Sequence, residues 1–450
     1  MGKGLTGEAQ GNVILLVPPN KKDYIRDTYY GCWHERKFID YFWPPLVMYQ
    51  LAAIIPNSLV KDYSITKNNI KSAITELMKL KPSFIILNIG SGTLKEDLMF
   101  ATLIKKYLKS NIIVFGQHAT IAPNELVKHK SIDIVIKGEP ELIINQVIES
   151  FNDKKKLKTI EGVCFKGFVS KKKAQVKNLD EMPFPKRDLN KAKKYNNPFG
   201  IKSPFTTLSI SRGCPYDCIF CTVPILYDRK IRRRSLSNIM SELKLLKNQG
   251  FKELFFRDEN LCFDKNYMQK LCKEMIRLKF GFKWMCNCRV DTVDYPTLRL
   301  MKKAGCHLIK FGVESGSQEI LNKIKKGITL QQVENAFQNC KKARIDTVAH
   351  FMIGNLGDTK ESIEKTIEYA IKLNPTYASF DKVIVYQGTS LKKGKYKPVS
   401  QKLLDYYHDL AFKRFYLRPR KVFQHIFHIK SFKQLKDKSR STLKLWGKLY

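Results

Sequence analysis

Apolar residues in the first third of the chain fall in short unbroken runs. Val13–Val17 ends at Pro18-Pro19, Phe84–Ile89 ends at Gly90-Ser91-Gly92-Thr93, and Ile112–Phe115 and Ile132–Ile136 follow. Runs of this length without polar alternation read as strands buried on both faces. Leu46–Ile55 and the segment leading to Tyr107 carry helical spacing instead. Strands alternating with helices predict a parallel, doubly wound α/β sheet over residues 11–150. Ligands of such sheets sit at the carboxyl ends of the strands, which places Ser91, Thr93, Gly116, His118 and Thr120 at a candidate pocket.

The same alternation returns over residues 201–395. The apolar segments are Thr207–Ile210, Leu254–Phe256, Trp284–Cys286, Leu308–Gly312, Val348–Ile353 and Ala378–Tyr386. Helical stretches such as Ser237–Gln249 and Leu330–Ala343 lie between them. Six βα units predict a partial (β/α)6 barrel, with chemistry at the carboxyl ends of its strands. Residues 151–200, with a Lys run at Lys171–Lys173 and a turn-rich stretch from Asp180 to Pro185, read as a connector. Residues 396–450 read as a basic helical tail, broken at Pro419.

Composition adds two constraints. The chain of 450 residues holds 81 Lys and Arg against 41 Asp and Glu, a formal charge of +40. Such a charge fits a solvated Lys-rich surface, nucleic acid or anionic lipid. Residues Met1 to Gly11 are polar, and Val13–Val17 is too short for the core of an export signal. No stretch reaches the roughly 18 apolar residues of a membrane span. The expectation is a cytoplasmic protein, so its 11 cysteines are thiols, metal ligands or reactive groups and not a disulfide framework.

Three of these cysteines stand together in Ser211-Arg212-Gly213-Cys214-Pro215-Tyr216-Asp217-Cys218-Ile219-Phe220-Cys221, directly after a strand. Soft thiolates suit iron–sulfur clusters, and a missing fourth ligand leaves one iron open. A zinc site needs a fourth ligand nearby, and no His lies between Ile201 and Cys286. Cys262, Cys286 and Cys288 also lie near strand ends, either as a second cluster site or as buried thiols.

The Cys214, Cys218, Cys221 spacing, with Phe220 before the last cysteine, resembles the radical S-adenosylmethionine superfamily. The resemblance continues through Arg257-Asp258-Glu259-Asn260, Arg289, Gly312-Val313-Glu314-Ser315-Gly316, Phe351–Gly354 and Gly388-Thr389. It implies a [4Fe–4S] cluster on the three cysteines and reductive cleavage of S-adenosylmethionine to a 5′-deoxyadenosyl radical. It further implies cofactor contacts from Phe220, from Asp258, Glu259 and Asn260, from Arg289, and from Gly312 and Glu314. Asn355-Leu356 and Gln387 depart from the family pattern in two loops.

The first domain resembles the cobalamin-binding branch of that superfamily. Val17-Pro18-Pro19, Pro44-Pro45-Leu46, Gly116-Gln117-His118-Ala119-Thr120 and Lys137-Gly138-Glu139-Pro140-Glu141 carry the likeness. No Asp-x-His-x-x-Gly follows the first strand, so the resemblance implies cobalamin held without a His lower ligand. His34 is a lone histidine beside Trp33. The implied activity is methyl transfer to an unactivated carbon of a small-molecule or lipid-like substrate, with flavodoxin or ferredoxin as reductant. Radical cyclisation or rearrangement is the alternative within the branch. A tRNA-modifying enzyme and a non-catalytic cluster scaffold are alternatives outside it. Nucleic acid is disfavoured, because the related tRNA enzymes carry three N-terminal cysteines and residues 11–150 contain only Cys32. Residues 411–450 hold twelve Lys and Arg and one acid, with recurring aromatics, and fit either peripheral membrane contact or packing on the barrel.

Overall fold

The computed structural model describes residues 12–19, 24–25, 34–35, 43–65, 69–195, 197–394, 396 and 399–427. The chain divides into two compact units, with the division after Asp188.

The first unit is a seven-stranded sheet of order β2-β1-β3-β4-β5-β6-β7. Its strands are β1 Val13–Val17, β2 Leu59–Asp62, β3 Phe84–Asn88, β4 Asn111–Phe115, β5 Ile134–Ile136, β6 Val163–Phe165 and β7 Phe168–Val169. The first five pair in parallel and the last two antiparallel. Alternate residues of β1 serve two cores. Val13, Leu15 and Val17 pack with Val47, Met48 and Leu51 on one face. Ile14 and Leu16 pack with Ala73, Leu77, Phe100 and Ile104 on the other. Both faces are therefore covered, which is why the run carries no polar position.

Residues 151–200 were expected to connect two domains, yet they supply β6 and β7 to the first sheet. Lys166-Gly167 turns between them, with Gly167 at φ +87°. A two-residue hairpin turn favours such a glycine, because positive φ matches the strand twist.

The second unit is an open sheet of six parallel strands in sequential order. They are β8 Phe205–Leu208, β9 Glu253–Phe256, β10 Lys283–Cys288, β11 Cys306–Glu314, β12 Asp346–Ile353 and β13 Tyr377–Lys382. Sequential parallel order makes a partial barrel with helices outside it. Five of those helices begin at Ser235, Asp264, Asp294, Thr329 and Thr359, each accepting a backbone N–H three residues on. Such caps satisfy donors that a helix start otherwise leaves orphaned.

The tail begins with helix Gln401–Tyr416, whose Leu404, Tyr407, Ala411, Phe412 and Phe415 belong to the barrel core. This part of the aromatic stripe is thus spent on packing. Pro419 opens a further helix, Pro419–Phe427, because its missing N–H costs nothing at a helix start. Leu443, Leu445, Trp446 and Leu449 lie outside the described residues. No helix among the described residues is long and apolar enough to cross a membrane.

Candidate active site

The three-cysteine loop leaves the sheet just after β8. Ser211-Arg212 pairs antiparallel with Arg232-Arg233, which pins the start of the loop. Gly213 sits at φ +100°, and a Cβ there would collide with the Lys230 carbonyl. Ile219 donates its N–H to Ile324 O at 3.2 Å and accepts from Leu391 N at 2.9 Å, so both sides of the loop are tied to the barrel. Cys214, Cys218 and Cys221 are half-buried, whereas the other described cysteines are buried. Phe220 packs partly buried against the barrel core. Burial pushes the Cys214 thiol up to about 11. A metal that displaces its proton supplies the positive charge that burial withholds.

Among the described residues, no three His, Cys, Asp or Glu side chains are gathered as ligands of one ion.

Asp258, Glu259 and Asn260 follow β9, and their environments differ. The Asp258 carboxylate accepts from Ile210 N at 3.1 Å, Ser211 N at 2.5 Å and Ser211 Oγ at 2.6 Å. It therefore fastens the entry to the cysteine loop. The Glu259 oxygens are buried, and only the backbone N–H groups of Glu259 and Gly213 approach them, neither in full hydrogen-bond geometry. Burial pushes its carboxyl up to about 8, and its own N–H and that of Gly213 only moderate the push. Asn260 Oδ1 accepts from Arg289 N and Thr292 Oγ1, and its Nδ2 is a buried donor without a partner. Buried polar atoms without partners are rare in native proteins, and each calls for a ligand or a water. An orphaned acceptor next to an orphaned donor suits the ammonium and carboxylate of an amino-acid moiety. The residues present fit both a cluster and S-adenosylmethionine. Arg257, also at this strand end, is buried with its guanidinium 4.8 Å from the Phe255 ring.

Arg289 follows β10 and is occupied by protein partners. Its Nε and Nη2 each lie 3.0 Å from an Asp291 oxygen, Nη2 donates to Lys326 O at 2.8 Å, and Cζ stands 3.5 Å from the centroid of the Tyr216 ring. It ties the cysteine loop to the loop at Lys326. Glu314, at the end of β11, has φ +71° and pairs with Lys326 Nζ at 2.6 Å. Gly312 makes room for this pair, since a Cβ there would run into both charged ends.

Two features escaped the sequence reading. Lys326 sits in Lys325-Lys326-Gly327, indistinguishable from the other lysines of a Lys-rich chain. On β12 and β13, Ala349, Phe351, Ala378 and Phe380 pack into the outer core. His350, Ser379 and Asp381 alternate with them and face the opposite side. His350 Nδ1 lies 2.6 Å from Ser379 Oγ, which donates to Asp381 Oδ2 at 3.0 Å. Period-two alternation carried that signal. Cys262, Cys286 and Cys288 form a compact buried trio, with Sγ–Sγ distances of 3.3 Å for Cys262–Cys288 and 3.7 Å for Cys286–Cys288.

In the first unit the pocket residues gather at the ends of β3 and β4. Gly116 has φ +112°, and a Cβ there would stand 2.9 Å from Ile89 O. Ser91 Oγ lies 3.0 Å from His118 Nδ1, and His118 Nε2 lies 3.3 Å from Glu125 Oε2. Burial lowers the His118 pKa, with Glu125 opposing. Thr93 Oγ1 donates to Asp97 at 2.8 Å, and Thr120 Oγ1 donates to Gly116 O at 2.9 Å. These two hydroxyls shape the strand ends from within. The side chain of His34 lies outside the described residues.

A doubly wound domain, followed by an open six-stranded barrel with a three-thiol loop after its first strand, defines a class of cluster-bearing barrel enzymes. Residues 208–370 match the Radical SAM superfamily. The chain is 28% identical over 395 residues to an uncharacterized methyltransferase of Pyrococcus horikoshii, covering 84% of this chain and 82% of that one. It is 23% identical over 304 residues to the cytidylyl-2-hydroxyethylphosphonate methyltransferase of Streptomyces wedmorensis, covering 59% of this chain and 57% of that protein. Among solved structures it is similar to the radical S-adenosylmethionine methyltransferase TsrM of Kitasatospora setae, solved with cobalamin and a [4Fe–4S] cluster bound. The TM-score is 0.67 at 15% identity, over 85% of this chain and 77% of that one. Residues 208–370 thus form a radical S-adenosylmethionine domain and the chain is an enzyme, with a fold over most of its length similar to that of TsrM.

Proposed function

We propose that the protein is a cobalamin-dependent methyltransferase that acts on an unactivated carbon of a small-molecule or lipid-like substrate. The observation that carries the reading is the orphaned pair at the end of β9, Glu259 and Asn260 Nδ2, in the barrel whose cysteine loop Asp258 fastens. When bound, the [4Fe–4S] cluster, S-adenosylmethionine and cobalamin supply reductive C–S cleavage and methyl transfer.

The chain's own residues supply positions. Cys214, Cys218 and Cys221 would hold the cluster. Glu259 receives the ammonium of S-adenosylmethionine and Asn260 Nδ2 its carboxylate. Glu314, fixed by Lys326, is positioned for the ribose hydroxyls, and Phe220 for the adenine. Ser91, Gly116 and His118 line the cobalamin pocket. His350, through Ser379 and Asp381, presents a polar group on the inner side of the barrel for the substrate. A flavodoxin or ferredoxin delivers the electron, and the basic tail brings the enzyme to an anionic membrane surface.

The test is anaerobic reconstitution with iron, sulfide and hydroxocobalamin, followed by reductant and methyl-labelled S-adenosylmethionine. The expected result is 5′-deoxyadenosine together with label on the bound cobalamin. Cleavage without any labelled cobalamin would favour cyclisation or rearrangement. Glu259→Gln should weaken S-adenosylmethionine binding while leaving the iron content unchanged.

A further inference from the structure

Away from the strand ends that carry the chemistry, the barrel has a cleft of about 870 Å³ where β12 and β13 begin. The C-terminal ends of helices Leu330–Lys342 and Lys360–Leu373 and the segment around Arg418–Gln424 line it. Lys372 pairs with Glu334 at 2.9 Å. That leaves Lys341, Arg344, Arg418 and Arg420 in a lining whose other acid is Asp346. Cations near helix C-termini offset the helix dipoles, and this accounts for part of the excess.

Lys421 shows that charge remains in excess. It is 1% exposed, and its ammonium donates to Gln424 Oε1 at 2.9 Å and to the Pro375 carbonyl, both neutral acceptors. Arg418 is likewise fixed by main-chain carbonyls, donating to Phe415 O at 3.0 Å and Ile371 O at 3.2 Å. Burial, and then repulsion from Arg418 and Arg420, pull the Lys421 ammonium down to about 7. An anion in the cleft would relieve that repulsion.

The next two residues are apolar and lie in water: Val422 is 41% exposed and Phe423 61%. A cationic cleft lined by a helix that also exposes apolar side chains has the composition of a surface that lies on anionic lipid. Nucleic acid would use the cations and leave Val422 and Phe423 unexplained.

We propose that this cleft receives the phosphate of an anionic lipid headgroup at a bilayer surface, with Val422 and Phe423 entering the headgroup boundary. The proposal rests on the reading that the enzyme visits an anionic membrane, and it names the part of the fold that recognises the lipid. The site is remote in sequence from the cluster loop, so it orients the enzyme without entering its chemistry.

The experiment is co-sedimentation of the full chain with vesicles of phosphatidylglycerol or of phosphatidylcholine. Three variants are compared with the parent. One is Arg344→Glu/Arg420→Glu in the cleft, one is Phe423→Ser, and one is Lys430→Gln/Lys433→Gln/Lys436→Gln/Lys438→Gln in the tail. The cleft variant should lose about a hundredfold or more in partition to phosphatidylglycerol, since two reversals alter four charges. Phe423→Ser should lose the part of the binding that resists salt. 5′-Deoxyadenosine formation should be unchanged in both, and the melting temperature should not fall in either, since Arg420→Glu relieves the repulsion on Lys421. If the parent binds and only the tail variant loses binding, the cleft assignment falls while the membrane reading stands. If the parent ignores phosphatidylglycerol, both fall. A parent that ignores vesicles yet melts higher in inorganic phosphate overturns the lipid assignment in favour of a soluble anion.

Discussion

Lys326 Nζ stands 2.6 Å from Glu314 Oε1, with each residue 7% exposed. Glu314 holds φ +71°, a conformation that a residue with a side chain rarely keeps without support. The lysine neutralises the carboxylate, and Gly312 leaves the space for both. Lys326→Met therefore strands a buried carboxylate, with an expected loss of about 3 kcal/mol in the unfolding of the barrel domain. Glu314→Gln/Lys326→Met should recover part of it, because no lone charge is left. Urea titrations of the parent and both variants check this, and equal midpoints would refute the pairing as a support of the strand end.

Cys214→Ala, Cys218→Ala and Cys221→Ala should each lose the cluster that the parent takes up at about four irons. Cys286→Ala should keep it, because Cys286 is 0% exposed within the outer core. Iron analysis and the absorbance of anaerobically reconstituted protein separate the two groups. Full iron in any of the first three variants would remove that cysteine from the ligand set.

Where the chain announced its structure, it did so by long-period pattern. The run Val13–Val17 read as a doubly buried strand because β1 has a core on each face, and the cysteine loop read as a cluster site because three soft ligands share eight residues. Leu59–Asp62 was missed because it is an edge strand, half-exposed and containing Lys61 and Asp62. Val163–Phe165 and Phe168–Val169 were missed because three- and two-residue strands depend on pairing with a neighbour, which no local pattern records. Within the site, residue type at a strand end was legible but its use was not. Asp258 and Glu259 are adjacent carboxylates, yet the first is spent on Ser211 and the second accepts no hydrogen bond of full geometry. Only packing distinguishes them.

His118 should not become a ligand to cobalt. Its Nδ1 is held by Ser91 Oγ at 3.0 Å, its Nε2 lies 3.3 Å from Glu125 without a hydrogen bond of full geometry, and it is 2% exposed, with Glu125 beside the one nitrogen left to bind. Protein loaded with cobalamin and reduced to the cobalt(II) state should show an electron paramagnetic resonance spectrum without nitrogen coupling from a lower axial imidazole. His118→Ala should leave that spectrum unchanged while weakening retention of cobalamin. Nitrogen coupling that disappears in His118→Ala would reverse this assignment.

Lys421 makes stability depend on pH in a direction that can be worked out. Its folded pKa, lowered to about 7 by burial and then by Arg418 and Arg420 and partly restored by Asp346, lies below the ordinary lysine value of 10.5. Between those values the unfolded chain holds a proton that the folded chain lacks. Stability from this group therefore rises as pH increases from about 7 to about 10 and is lost as pH falls through that window. Lys421→Met removes the dependence and also the bonds to Pro375 and Gln424. The variant should gain about 1–2 kcal/mol over the parent near pH 7, less than the full linkage because those bonds are lost. The advantage should shrink or reverse near pH 10. Thermal unfolding of the two proteins across that range decides it. Parallel curves would mean that Lys421 titrates as an ordinary lysine, and that the cleft beside it carries no excess of positive charge.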